Sequence, residues 1–298
     1  MKEAFRKIDN NKGTALIITL LVVALLTSMV VEFAYGVYAN TSMLHNWQAS
    51  QEASLIAKSG ISLSEVYLKE LLSMSQYSYP GSIDLPVEKP FPDKDGSLDV
   101  RLEDESGKIN INNLVFPNGL VDAKTYGMFQ RLLKALNLKP EIADAIVRWI
   151  EPVKGQGMEQ SFNKHAPLWS LDELKMIKGI DENTFNTLKP YVTLYSDGFI
   201  NINAAEMPVL LSLSDDMTPD LCQRIIEHRE LFPFKDRTQL MQVPGFETLG
   251  LTLQDRISVK GSAFRVVSTG DVGGIKRVIE AIIDMSSGTY IIKFWREG

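Results

Sequence analysis

Cysteine is almost missing from this chain: Cys222 stands alone among 298 residues, so no internal disulfide can form. Any fold it adopts outside a reducing compartment is held by its core and not by covalent staples. Cys222 itself reads as a small buried residue of a helix and not as a reactive thiol. Histidine is scarce as well. His45, His165 and His228 share no ligand spacing, and no Ser-His-Asp set, phosphate loop or zinc pattern is evident, which argues against an enzyme. Excess positive charge is also lacking. The net charge is −6, and this acidic balance argues against a general nucleic-acid binder. The most informative absence is local: Thr14 to Val31 are eighteen consecutive residues with no charge at all.

As a helix, that stretch is about 27 Å long, close to the thickness of a hydrocarbon core. Before it lie Lys2, Arg6, Lys7 and Lys12 against Glu3 and Asp9, a basic leader of net +2 that leaves −8 on the remainder. A basic leader on the cytoplasmic side places the bulk of the chain beyond the membrane. A secretory signal would have a shorter apolar region followed by a small-residue cleavage site. Here the glycine, Gly13, comes before the run. That order suggests a cut on the cytoplasmic side that leaves the apolar helix at the new N-terminus. The competing reading is an ordinary single-pass anchor in which Gly13 is incidental.

Behind the anchor, Leu44, Trp47, Leu55, Ile56, Leu63, Val66, Tyr67 and Leu71 keep a loosely helical spacing to about Met74, with Gly36 and Gly60 as expected weak points. Pro80, Gly81, Pro86, Pro90 and Pro92 predict a loop. Leu98, Val100 and Leu102 alternate with charged residues as a half-buried strand, Asp104 to Gly107 form a turn, and Lys108 to Asn112 alternate again. Helices are expected from Val121 to Leu136, over Ile142 to Trp149, over Leu171 to Ile177 with Ser170 and Glu173 as a capping box, and over Glu182–Leu188, Ala205–Leu213 and Pro219–Leu231. Three strands are expected last, at Ile257–Val267, Ile275–Met285 and Thr289–Trp295. A helical block between strands suggests an insertion into an α+β domain.

Several stretches carry a family resemblance: Lys12-Gly13-Thr14-Ala15-Leu16-Ile17-Ile18; Asp104-Glu105-Ser106-Gly107-Lys108-Ile109-Asn110-Ile111-Asn112; Ser170-Leu171-Asp172-Glu173-Leu174; Ile177-Lys178-Gly179-Ile180; Leu188-Lys189-Pro190-Tyr191-Val192; and Phe199-Ile200-Asn201-Ile202-Asn203-Ala204-Ala205. In this order they resemble the K-type minor pseudopilins of type II secretion systems. The resemblance implies an α+β, pilin-like fold, with a long N-terminal helix on a small antiparallel sheet and an inserted all-helical domain. It implies a cleaved leader over 1–13, the transmembrane part of the helix over 14–38, the rest of the helix and the first strands over 39–116, the inserted domain over 117–255, and closing strands over 256–298. It implies a prepilin peptidase cutting between Gly13 and Thr14 and methylating the Thr14 amine. The peptidase performs that chemistry, and this chain is its substrate. The expected place is the inner membrane, crossed once, with the globular part in the periplasm. The expected partners are minor pseudopilins of the I and J types in a tip complex that primes and caps the filament for protein export.

Ile18 stands fifth after the proposed cut, where most pilin-like proteins have a glutamate that pairs with a neighbour's amine inside the lipid. The resembled family is the one that lacks it. A subunit without the acid can still offer its own amine to a subunit beneath, which suits the first place in a filament. The bland alternative is that a plain anchor would contain isoleucine there too. Glu32, the first acid of the helix, reads as a boundary residue. In the loop after Trp149 the family has a calcium-binding acidic segment. This chain keeps Glu151 and Glu159 but few other acids, and calcium wants six to eight oxygens, so a weak calcium site competes with a solvated loop.

Leu174 to Leu188 and Leu240 to Phe246 look like helix-hairpin-helix elements, which in DNA-binding versions aim backbone N–H groups at phosphate. Asp181, Glu182 and Glu247 beside the turns would repel phosphate, so packing is the expected role and no nucleic acid is expected as partner. Two other functions remain: a minor pilin of a true type IV pilus, and a membrane-anchored DNA-binding protein. His228 is expected at the surface, and Trp149, Trp169 and Trp295 as core or interface anchors.

Overall fold

The computed structural model describes residues 11–87, 96–152, 163–287 and 289–298. The chain opens with α1 (Asn11–Met74), β1 (Ser82–Val87) and β2 (Gly96–Asp104). A middle block follows, with β3 (Ile109–Asn110), α2 (Ala123–Ala135), α3 (Glu141–Ile150), α4 (Glu182–Leu188), β4 (Val192–Thr193), β5 (Ile200–Asn201), α5 (Met207–Ser212), α6 (Pro219–Leu231), α7 (Leu249–Thr252) and β6 (Ile257–Ser258). The chain closes with β7 (Ala263–Val272), β8 (Ile275–Asp284) and β9 (Ile291–Glu297).

Sixty-four residues without a proline make α1 a single helix about 96 Å long. It ends at Met74, as the spacing of its apolar residues predicts. Ala49, Ala53, Ile56, Ala57, Gly60, Ile61, Ser64 and Leu68 recur every three or four residues and are buried on one face. The small residues among them let the helix axis come close to the sheet. Ser268 of β7 donates a hydrogen bond to the Ala57 carbonyl at 2.8 Å. A Cβ on Gly60 would lie 2.1 Å from Ser268 Oγ and 2.9 Å from Leu98 and Val100 side-chain atoms. Gly60 is therefore a contact residue and not the weak point that its poor helix propensity suggests. Gly36, with nothing within 4 Å of its Cβ position, also lies inside unbroken helix.

The sheet is antiparallel throughout, in the order β1-β2-β7-β8-β9. Its first strand corrects the sequence reading, which took the proline-rich stretch as a loop. Ser82 to Val87 pair with Glu103 to Leu98. Pro86 is tolerated because β1 is an edge strand, where a missing N–H need face no neighbour. The strand expected at Ile257–Val267 is in fact two elements. Ile257–Ser258 belongs to the middle block, and β7 begins at Ala263. Gly273 and Gly274, both at positive φ, make the tight turn into β8. This is the α+β arrangement that the resemblance implies.

The middle block has its own core, with Phe129, Leu132, Ile146, Leu174, Leu188, Leu210, Ile225, Phe234 and Phe246 buried together. Cys222 lies in it, and burial pushes its thiol up to about 12. Helices dominate the block, but it is not all-helical as the resemblance implied: two parallel two-residue ladders tie it, Ile109 with Val192 and Ile200 with Ile257, because the chain returns beside its own extended Asn segments.

These ladders open and close two copies of one motif. Asn110 and Asn201 each accept a bond from the backbone N–H two residues on, at 3.0 Å. Asn112 grips the backbone of Leu168 at both ends (2.8 and 3.0 Å), as Asn203 grips Phe234 (3.0 and 2.8 Å). A capping box follows each grip, Ser170 with Glu173 and Asp236 with Gln239, opening a 3₁₀ turn at Leu171–Met176 and at Arg237–Gln242. The first of these was expected as an α-helix. Gly179 and Gly245, at φ +98° and +92°, then turn the chain into α4 and α7.

Candidate assembly site

Gly13, Thr14 and Ile18 all lie in the first turns of α1. From Leu16 to Val31 the large side chains are 45–66% exposed, and the helix includes an eighteen-residue window of mean hydropathy 2.6 with no part buried. The hydroxyls of Thr19, Thr27 and Thr41 donate back to the carbonyls of Leu16, Val23 and Val37 at 2.7–2.9 Å. Those polar groups are thus satisfied within the helix, as a hydrocarbon surrounding requires. Glu32 follows the apolar run at its far end, exposed. Such a helix can lie in lipid or against other helices. Farther along, exposed Leu44, Leu55 and Val66 recur every eleven residues, three turns apart, on the side opposite the buried face.

Where the sheet meets the middle block, two acids of the Asp104-Glu105-Ser106-Gly107 turn are buried. Asp104 Oδ2 accepts from Ser78 Oγ at 2.9 Å and from Asn201 Nδ2 at 2.7 Å, and its Oδ1 accepts from the Ser106 N–H at 2.8 Å. Ser78 Oγ also accepts from Asn201 Nδ2 and from the Gly261 N–H, both at 2.8 Å. A Cβ on Gly261 would lie 2.3 Å from Asp104 Oδ2, so glycine is required there. This clasp joins the end of β2, the segment after α1, the second Asn motif and the approach to β7. Burial raises the Asp104 carboxyl to about 6, although its hydrogen bonds to Asn201, Ser106 and Ser78 pull it down.

Glu105 lies between Lys108 Nζ at 2.8 Å and Arg265 Nε at 2.9 Å and accepts from the Thr193 hydroxyl. Lys108 also meets Glu103 at 2.8 Å, and Arg265 also meets Glu280. Burial alone would push Glu105 up, but the two cations outweigh it and hold it below the ordinary carboxylate value. Sequence reading found the acidic turn and both Asn motifs but not the clasp. Its members are up to 183 residues apart, and the repeated Ile-Asn-Ile-Asn is the one local sign of it.

The remaining predicted sites are scattered. Glu151 caps the C-terminus of α3, and its carbonyl lies 2.8 Å from His165 Nδ1. Glu159 lies outside the described residues. Among the described residues, no cluster of three or more His, Cys, Asp or Glu could hold a metal ion. At the second hairpin the Gly245 N–H donates to the Glu247 carboxylate at 3.1–3.2 Å, so the chain's own anion sits where a phosphate would. His228 is half-buried, contrary to expectation, because its ring stacks on Phe234 with centroids 4.7 Å apart. Trp149 packs against the middle-block core, and Trp169 and Trp295 stand at the surface.

Two family models match, both described as type II secretion system (T2SS), protein K. They cover residues 107–197 and 200–260, together just over half of the chain. The boundary between them falls between the two copies of the motif. The type II secretion system protein K of Pseudomonas aeruginosa is 28% identical, over 90% of this chain and 86% of its own length. That of Aeromonas hydrophila is 24% identical, over 91% and 92%. The crystal structure of the GspK-GspI-GspJ complex from the enterotoxigenic Escherichia coli type 2 secretion system contains a chain of the same fold. It matches at TM-score 0.69 and 19% identity, over 86% of this chain and 99% of that one.

Proposed function

This chain belongs to the type II secretion system protein K family, whose members are minor pseudopilins, and we propose that it starts the pseudopilus and caps it. The observation that carries this reading is the stem: between Gly13 and Val31 the bare helix has no acid, and Ile18 stands where other pilin-like subunits have glutamate. An unpaired ionised carboxylate inside the hydrocarbon is costly, up to about 3 kcal/mol at the bilayer centre and less toward the interface where position 18 lies. A subunit that carries one needs an amine from a neighbour above it. This chain has no such need and can be uppermost. Once cut after Gly13, its Thr14 amine can receive the carboxylate of the subunit beneath. The broad middle block, joined to the sheet through the Asp104 and Glu105 contacts, would obstruct a subunit arriving above.

The partners in this reading are the I- and J-type minor pseudopilins, in an inner-membrane complex whose globular parts face the periplasm. A prepilin peptidase would cut between Gly13 and Thr14 and methylate Thr14. Glycine at the cut permits close approach of the backbone and weakens the helix locally by about 1 kcal/mol. The test is protein chemistry on native membranes: the mature chain should begin at methylated Thr14, Gly13→Leu should leave the precursor intact, and the chain should be rare relative to the major subunit. A protein that still begins at Met1, or that is as abundant as the filament subunit, would refute the reading.

A further inference from the structure

The five-stranded sheet is wider than the helix that covers it. α1 lies over β2, β7 and β8, centred nearest β7. Residues directly opposite each other in an antiparallel pair share a face. Ile292 pairs with Ile283 and Trp295 with Ala281, and both partners lie in the core beneath α1. Ile292 and Trp295 therefore face the α1 side, yet they are 41% and 42% exposed. Tyr290, 51% exposed, hydrogen-bonds Glu65 of α1. At the other end of β9, Glu297 takes a hydrogen bond from Ser54 and pairs with Lys58 at 3.4 Å. The strand thus runs antiparallel alongside α1. Ser54, Lys58 and Glu65 form one stripe of the helix, and exposed Trp47 continues that stripe toward the membrane. The result is an apolar ledge beside α1, open on its outer side.

We propose that this ledge seats the N-terminal helix of a second, different subunit, running parallel to α1. The inference rests on the pseudopilin reading and adds where the partner lies. Two dimensions agree. β9 is two strand spacings from β7, about 9.6 Å, and packed helices lie 8–10 Å apart. A helix over β9 would therefore touch both the sheet and α1. Continuity selects the occupant. The stem is bare down to residue 48, so a neighbour packed beside it continues along the Trp47 side directly onto Trp295 and Ile292. The partner is not a second copy, because the stem that pairs with the Thr14 amine has to carry the acid that Ile18 replaces.

The experiment places p-benzoylphenylalanine at Ile292 or Trp295 in the full chain, expressed with the other secretion components in native membranes. Ile291, which pairs with Asp284 on the opposite face, is the control for the face. Leu21 is the control for the stem. Adducts from Ile292 and Trp295 should map to the N-terminal helix of another pseudopilin, at least tenfold above Ile291. Trp295→Ala should lower recovery of that partner about tenfold, the loss expected for a central aromatic anchor. If Leu21 crosslinks but Ile292 and Trp295 do not, or if they reach a second copy or a globular domain, the inference is wrong and the pseudopilin reading stands. If Leu21 also fails to crosslink, that reading falls and the inference falls with it.

Discussion

Asp104 should make this protein more stable in mild acid. Its carboxyl is fully buried, and its native value is raised from 3.8 to about 6. Between those two values the native state therefore holds a proton that the unfolded chain has lost. A raised acid gives stability that is complete below the unfolded value and disappears as pH rises through the folded one. From pH 7.5 to 5.0 that displacement is a gain on the order of 1 kcal/mol, or about 2–3 °C in Tm for a chain of this size. Glu105, held low by Lys108 and Arg265, acts in the opposite direction but only below its ordinary 4.5, outside this window. Thermal unfolding of the full chain in detergent, followed by near-ultraviolet circular dichroism at both pH values, measures the effect. Asp104→Asn isolates it. The asparagine amide turns a donor toward Asn201 Nδ2, a mismatch costing about 1–3 kcal/mol, and removes a buried charge worth about 3 kcal/mol at pH 7.5. The two nearly cancel, so the diagnostic quantity is the slope. The variant should lose on the order of 1 kcal/mol of pH dependence relative to the parent. Equal slopes, or a parent that is less stable at pH 5.0, would refute the account of the clasp.

Three further outcomes follow from the packing. Gly60→Val should cost about 3 kcal/mol or abolish folding, since its side chain meets Ser268, Leu98 and Val100, whereas Gly36→Ala should leave Tm unchanged or slightly raised; one melting series covers both. Glu105→Gln leaves Lys108 and Arg265 without their buried anion and should cost about 3–5 kcal/mol, visible as faster proteolysis at the junction of sheet and middle block. Millimolar calcium should give no heat in titration calorimetry and no thermal shift, because Glu151 and Glu159 supply too few carboxylates; a clear exotherm would reverse that expectation.

Periodic features were legible in the sequence. The three- and four-residue spacing carried α1 to Met74, and alternation marked β2 and the β7–β8 hairpin. Contacts between distant segments were not. Pro86 disguised β1, because whether a proline suits a strand depends on which strand lies beyond it. Gly60 read as a defect because its Cβ-free surface has meaning only against Ser268, and Ser268 is 208 residues away. The capping box at Ser170 was visible in four residues, yet it opens a 3₁₀ turn, since Ile177 and Gly179 already lead the chain elsewhere. At the site, the acid-free stem was plain in composition, while Asp104 and Asn201 were read as family marks and not as bonding partners.

The pairing of Asp104 with Phe264 has a consequence for how separable the parts of the molecule are. β2 and β7 are neighbours in one hairpin, and everything from Glu105 to Ala263 is, topologically, its loop. Because closing a loop costs free energy that grows only with the logarithm of its length, a short turn and this two-motif module can occupy the same place without rewiring a single strand. Splicing a tight turn between Asp104 and Phe264 should therefore leave a small stalked protein whose sheet still closes on its helix.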